Sequence, residues 1–297
     1  MATVFTGTAT DHADLLDKIR AHLVDPVLGT QAWTQMGLVT VSATERVAYM
    51  RGPGLAGTDE IFVAIQQYQD AANDYYNFNI YGAVGYSAAH AVTEQPGTSP
   101  RATVPLWNSA IPYTLIVDGR HFKLVAKIST TYQTAFAGFI LPYATSAEMP
   151  YPMFIGGSAT DANSRWSVST HKVGSFFDPP EHSSYLRNFD GSWIDIANYS
   201  HDGSGVDRDD LTVSCVWPWH LNIECGANRD GSYGILPAIV HSSVGGGNVF
   251  GELPGVFWVS GFGNASEDTV TVGADTYLVV QSGYRTSMRS YAAIKLG

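Results

Sequence analysis

Charge is what this sequence has least of. Lys, Arg, Asp and Glu together make up 14% of its 297 residues, against roughly a quarter in ordinary globular domains. The 16 basic residues are scattered and outnumbered by 27 acidic ones, for a net charge of −11. Dense phosphate binding needs clustered Lys and Arg, so a nucleic-acid partner is not expected. Cysteine is nearly absent: Cys215 and Cys225 are the only two. That excludes a disulfide scaffold, and their spacing matches no zinc motif, which needs further ligand pairs. Across a hairpin they would face each other; two buried free thiols is the preferred expectation. No segment approaches the ~20 apolar residues of a membrane span, so no membrane insertion is expected. No basic stretch followed by an apolar one opens the chain, so no secretory leader is expected. Internal repeats and low-complexity linkers are also missing.

What is present is apolar and aromatic. Hydrophobic residues reach 45%, enough to bury a core in a chain of this size. Low charge with many aromatics suits a surface covered by neighbours, because interface cores exclude charge and favour Tyr and Trp. One helix is predicted over residues 11–24. Thr10 or Asp11 caps it, Asp14 and Asp17 sit in its early turns, and Asp25-Pro26 stops it. Leu15, Leu16, Ile19 and Leu23 form one apolar stripe, which packs either on the chain's own domain or on a neighbouring subunit.

Strand signals dominate the rest. Residues 37–41, 45–50, 61–67, 211–216, 235–241, 256–261, 269–272, 277–281 and 291–296 each read as strands. The clearest hairpin joins 111–117 to 120–128, where Asp118-Gly119 is expected to supply the positive φ angles of a tight turn. Residues 131–141 extend the sheet. Residues 148–157 carry two prolines and a glycine pair and read as an ordered loop or edge segment. Residues 160–210 read as one long irregular stretch, usually functional or interface-forming in a folded domain. The predicted architecture is mainly β: a sandwich or barrel-like set of antiparallel sheets with one N-terminal helix. It forms one unit over 1–297, with a weak boundary near 158–165.

The motifs for chemistry are sparse. No Gly-x-Ser-x-Gly elbow occurs, and Gly245-Gly246-Gly247 lacks the following Lys of a phosphate-binding loop. No His-x-x-x-His pair is found; Glu181-His182 and Trp219-His220 are only local neighbours. Asp195, Asp207, Asp209 and Asp210 are the acids available to a two-carboxylate glycoside hydrolase. Asp202, Asp207, Asp209 and Asp210 form an oxygen-rich run that suits calcium, but no glutamate closes an EF-hand loop. No metal or other cofactor is therefore assigned. Trp217, Trp219 and Tyr233 are candidates for stacking on a sugar ring. Phe176-Phe177-Asp178-Pro179-Pro180 reads as a packed corner or a contact loop.

Several phrases carry a resemblance. Arg51-Gly52-Pro53-Gly54 precedes Gly57-Thr58-Asp59-Glu60-Ile61-Phe62-Val63. Asp74-Tyr75-Tyr76-Asn77, Pro105-Leu106-Trp107-Asn108 and Val125-Ala126-Lys127-Ile128 follow. Gly138-Phe139-Ile140-Leu141-Pro142 and Tyr151-Pro152-Met153-Phe154-Ile155-Gly156-Gly157-Ser158 complete the block, and Tyr291-Ala292-Ala293-Ile294-Lys295-Leu296 closes the chain. Together they resemble virion structural proteins of tailed bacteriophages, best over 51–158. The resemblance implies a non-enzymatic subunit of the tail tip or baseplate. Several copies would bind other virion proteins after synthesis in the host cytoplasm. Leu15, Leu16, Ile19, Leu23, Phe176 and Phe177 are the expected subunit contacts. The alternatives are a module that binds a host surface glycan, and a tail-associated polysaccharide hydrolase.

Overall fold

The computed structural model describes residues 2–54, 59–167, 172–198, 214–219, 232, 234–242, 247–283 and 287–297. It opens with β1 (Thr3–Ala9), α1 (His12–Leu23) and a 3-10 turn, Pro26–Gln31. Then come β2 (Thr34–Ser42), β3 (Glu45–Gly52), β4 (Ile61–Asp70), β5 (Tyr75–Ala83), a second 3-10 turn (Val92–Glu94) and β6 (Ala102–Pro105). The middle supplies β7 (Ile111–Val117), β8 (His121–Ile128), β9 (Thr131–Phe139), β10 (Leu141–Pro142), β11 (Met153–Gly156), β12 (Ser184–Arg187) and β13 (Trp193–Asp195). The last part holds β14 (Ser214–Trp217), β15 (Leu236–Ser242), β16 (Asn248–Val259), β17 (Thr269–Val272), β18 (Asp275–Gln281) and β19 (Tyr291–Lys295). The fold is mainly β and the pairings are antiparallel, as expected. The N-terminal helix is joined by two short 3-10 turns. No helix among the described residues is long and apolar enough to cross a membrane.

Three sheets result. The central one runs β1-β7-β8-β9-β11-β12-β13, the first flanking sheet β2-β3-β4-β5-β6, and the second β14-β15-β16-β19-β18-β17, with β10 also on β16. Strand side chains alternate between faces, and here both faces of the central sheet are buried. Leu115, Val117, Phe122, Leu124, Ala126, Ala135 and Ala137 enter one core with Met50, Val63, Ile65, Phe78 and Ile80 of the first flanking sheet. Their alternates Ile116, Val125, Phe136 and Phe154 enter a second core with Val240, Phe250, Val256, Trp258 and Ile294 of the other. Contact with the first flanking sheet is tight at Gly82, where a Cβ would sit 2.5 Å from Met153 Sδ.

Several expectations change. Leu15, Leu16, Ile19 and Leu23 are at most 1% exposed and belong to the first core, and Phe176 and Phe177 are fully buried in the second. They pack on their own chain and offer no contact to a neighbour. Residues 148–157 hold β11, an interior strand of the central sheet between β9 and β12. The stretch read as irregular contains β12 and β13, and the central sheet continues across 158–165 by pairing β11 with β12. The 111–128 hairpin is present, but Gly119 is not left-handed. The Asp118 carboxylate closes the turn instead, accepting from the backbone N–H groups of Arg120 (2.8 Å) and His121 (2.9 Å).

Helix α1 is capped by Asp11, whose side chain accepts from the Asp14 N–H at 2.8 Å. Leu16→Ala is expected to lower the denaturation free energy by about 2–5 kcal/mol, and Asp11→Ala by about 1 kcal/mol. Chemical unfolding of the dilute chain measures both. A Leu16→Ala chain with unchanged midpoint but altered oligomer size would return that face to an interface role.

Candidate functional site

The second core frays at one end. On the face of β8 that meets the second flanking sheet, the residues read His121, Lys123, Val125 and Lys127. Neighbouring strands add Thr6 of β1 and Thr114 of β7 in register with Val125, and Tyr132 of β9 opposite Lys127. Hydroxyl and charged side chains cannot close a dry interface. The second flanking sheet stands off here and leaves an open groove of about 240 Å³. Its far wall is the β18 segment Leu278, Val279 and Val280, and Glu267 on the loop before β17.

Two features mark this groove. Lys127 Nζ reaches Glu267 at 2.7 Å and lies 5.7 Å from the centre of the Tyr132 ring. The Glu267 partner holds the Lys127 ammonium above its ordinary value, and burial raises the Tyr132 hydroxyl. Glu267 also has φ +75°, a left-handed conformation unusual for glutamate. Backbone hydrogen bonds to Val279 on either side, Glu267 N–H to Val279 O and Val279 N–H to Asp268 O, hold it there.

An acid–base pair forms elsewhere. His182 Nδ1 lies 2.7 Å from Asp195 Oδ2, and both Asp195 oxygens accept from the His182 backbone N–H at 3.1 Å. Burial raises the Asp195 carboxyl. Tyr185 is its cross-strand partner, and burial followed by the Asp195 charge pushes that hydroxyl up to about 12. The carboxylate fixes the ring with Nε2 outward, the orientation of a general base. The neighbouring Ser183 hydroxyl is buried and donates to Pro180 O, so it is not turned toward the imidazole. Asp207, Asp209 and Asp210, the other acids of the two-carboxylate reading, lie outside the described residues.

A third pair is inert by environment. Cys215 Sγ is 3.1 Å from His241 Nε2 across the β14–β15 ladder. Burial pushes the thiol up to about 12 and lowers the imidazole. A nucleophilic cysteine needs the opposite, a stabilised thiolate. Cys225 lies outside the described residues.

Of the stacking candidates, Trp219 is 2% exposed, donates to Tyr291 O at 3.2 Å and packs on Phe177. It is core, and no sugar reaches it. Trp217 is half-buried on β14. Tyr233 and the calcium candidates Asp202, Asp207, Asp209 and Asp210 lie outside the described residues, and no metal-binding cluster occurs among the described ones. Sequence reasoning missed the groove entirely. Lys127 and Glu267 are 140 residues apart, and no local pattern joins them. Compared with known proteins, the chain matches no family model and no curated protein.

Two histidines are sealed in the cores. His121 stacks on Phe136 with centroids 5.2 Å apart. Its Nδ1 is 3.2 Å from Asp118 Oδ1, near enough for attraction but off the donor direction, so neither ring nitrogen is hydrogen-bonded. Burial lowers His121 to about 3 and His12 to about 4. The unfolded chain takes up these protons below about pH 6.5, while the folded chain does not. Stability is therefore expected to fall as pH drops from 6.5 toward 4, by roughly 1 kcal/mol per pH unit for each histidine. Urea unfolding of His121→Leu over this range should show a shallower fall than the parent; parallel curves would exclude the assignment.

Proposed function

We propose that this chain is a non-catalytic structural subunit of a multi-copy assembly and, following its resemblance, of the tail or baseplate of a tailed bacteriophage virion. Its scaffold is a sandwich of stacked sheets with open edges, rather than a closed barrel. One observation carries the reading. β1 (TVFTGTA), β2 (TQMGLVTVS) and β17 (TVTV) are edge strands of the three sheets, and none contains a charge or a proline. β2 is nine residues long, with Leu38, Val39 and Val41 each 38–56% exposed. Edges of this kind pair with other chains unless lysine, proline or a bulge guards them. β2 has register shifts near both ends but runs regularly through Leu38 and Val39. Strand addition gives affinity through main-chain hydrogen bonds, and the exposed valines give an apolar strip beside them.

Asp195 pairs with His182, and the second carboxylate that polysaccharide hydrolysis needs would have to come from Asp207, Asp209 or Asp210, outside the described residues. Glycan recognition by Trp219 is lost with that residue's burial.

The double change Val39→Lys and Val41→Lys is expected to shift the chain from oligomer to monomer in light scattering. Monomer stability should stay within about 0.5 kcal/mol, as for surface substitutions generally. A density map of the tailed particle should place several copies at its tail. A parent chain that is monomeric at every concentration and absent from such particles would sink the reading.

A further inference from the structure

We infer that the groove between the central sheet and β18 is a binding site for one neutral sugar ring of the pyranose type. The inference is independent of the assembly reading. The volume, about 240 Å³, sits just under the ~300 Å³ lower end of ligand pockets, which suits one ring. Tyr132 is only partly buried and lines the space beside Lys127, whose Nζ lies 5.7 Å from the ring centre; an aromatic ring is the partner that the C–H face of a sugar takes. Thr6 and Thr114 on the floor bring hydroxyls that both donate and accept.

The ion pair selects the charge class. Lys127 and Glu267 meet at 2.7 Å with about a third and a half of their side chains exposed. Both line the groove, one a donor and one an acceptor. A carboxylate accepts two hydrogen bonds from adjacent hydroxyls, and an ammonium donates to a third. An anionic ligand would meet Glu267 and a chain of net charge −11. A cationic one would meet Lys127. A ring with vicinal hydroxyls and no charge satisfies both partners without breaking the pair.

The test is titration of the full-length chain followed by NMR. Methyl glycosides of glucose, galactose and mannose serve as free rings, glucuronate and glucosamine as charged comparators, and dextran as a polymer. Shifts confined to amides around Lys127, Tyr132 and Glu267 are expected with at least one methyl glycoside, and weaker ones with both charged sugars. Free glycosides without dextran would identify a free sugar as the ligand; both together would identify rings within a chain. Dextran alone, equal or stronger response to the charged sugars, or no groove response at the highest tolerated sugar concentration each overturns the assignment. Glu267→Gly separates binding from folding, because glycine accepts the left-handed backbone without strain. This variant is expected to melt no lower than the parent and to bind at least tenfold more weakly. Tyr132→Leu keeps the apolar contact and removes the ring face, with the same expected loss. Unchanged sugar affinity in a folded Glu267→Gly chain also overturns the assignment.

Discussion

The central sheet is covered on both faces, and most of the molecule follows from that. Side chains on β7, β8, β9 and β11 alternate between two cores, so nearly every residue of these strands is buried. Such strands read as near-continuous apolar runs rather than alternating ones. They also set the sizes of their partners. Ala126, Ala135 and Ala137 lie on the face toward the first flanking sheet, and Gly82 lets β5 press against Met153 and Ile155. Polar side chains caught in this layer are costly unless bonded from within, and not all of them are: His121 and Gln133 are buried without hydrogen bonds to their side-chain atoms. Lys123, 2% exposed, donates to Pro254 O at 2.6 Å, and burial lowers its ammonium to about 8.

The same arrangement shapes the surface. A sheet with two buried faces shows water mainly at its edges. The flanking sheets have one outer face each, and part of that is covered too. Tyr49, Val47, Ala64 and Tyr81 form a small apolar cluster with Tyr86 and Val92, outside the first flanking sheet. Val259, Tyr277, Val279 and Ala293 do the same outside the second. The chain still exposes 12206 Å², about what a folded protein of its mass exposes, so uncharged groups cover much of that surface. The edges of all three sheets include uncharged strands. Low charge and unguarded edges are thus separate features of the surface, and the proposed assembly role draws on both.

Local patterns were legible and distant pairings were not. Helix α1 announced itself through Asp11, the leucine stripe and Pro26. The β7–β8 hairpin was visible from its two apolar runs, although its turn chemistry was misread because Asp118 acts through its carboxylate rather than Gly119 through its backbone. β12 and β13 were missed because they are four and three residues long, too short for a period to show. β16 was only half seen, since Gly251, Pro254 and Gly255 interrupt its twelve residues. The destination of an apolar stripe is also invisible from spacing. Leu15 and Leu16 look the same whether they face a core or a subunit, and only the position of β1, β4 and β7 around α1 decides it. His182 and Asp195 stand 13 residues apart, and their meeting depends on the β12–β13 register, which no motif encodes.

Left-handed backbone falls in turns. Among the described residues, four non-glycine residues adopt it: Asp74, Ser129, His182 and Glu267. Asp74 and Ser129 sit in the β4–β5 and β8–β9 hairpin turns, where such a residue is ordinary. His182 is held by two backbone contacts and an ion pair to the part-buried Asp195. Glu267 likewise sits in a turn, closed by the Asp268 N–H on Ala265 O at 3.2 Å, and its own N–H donates to Val279 O at 3.0 Å. A non-glycine residue in this region costs of order 1–3 kcal/mol, while an exposed pair such as Lys127–Glu267 returns about 0–1 kcal/mol. Glycine at 267 would relieve the strain but would remove the carboxylate. That carboxylate ties the turn before β17 to β8 through Lys127, and it lines the groove between the two sheets.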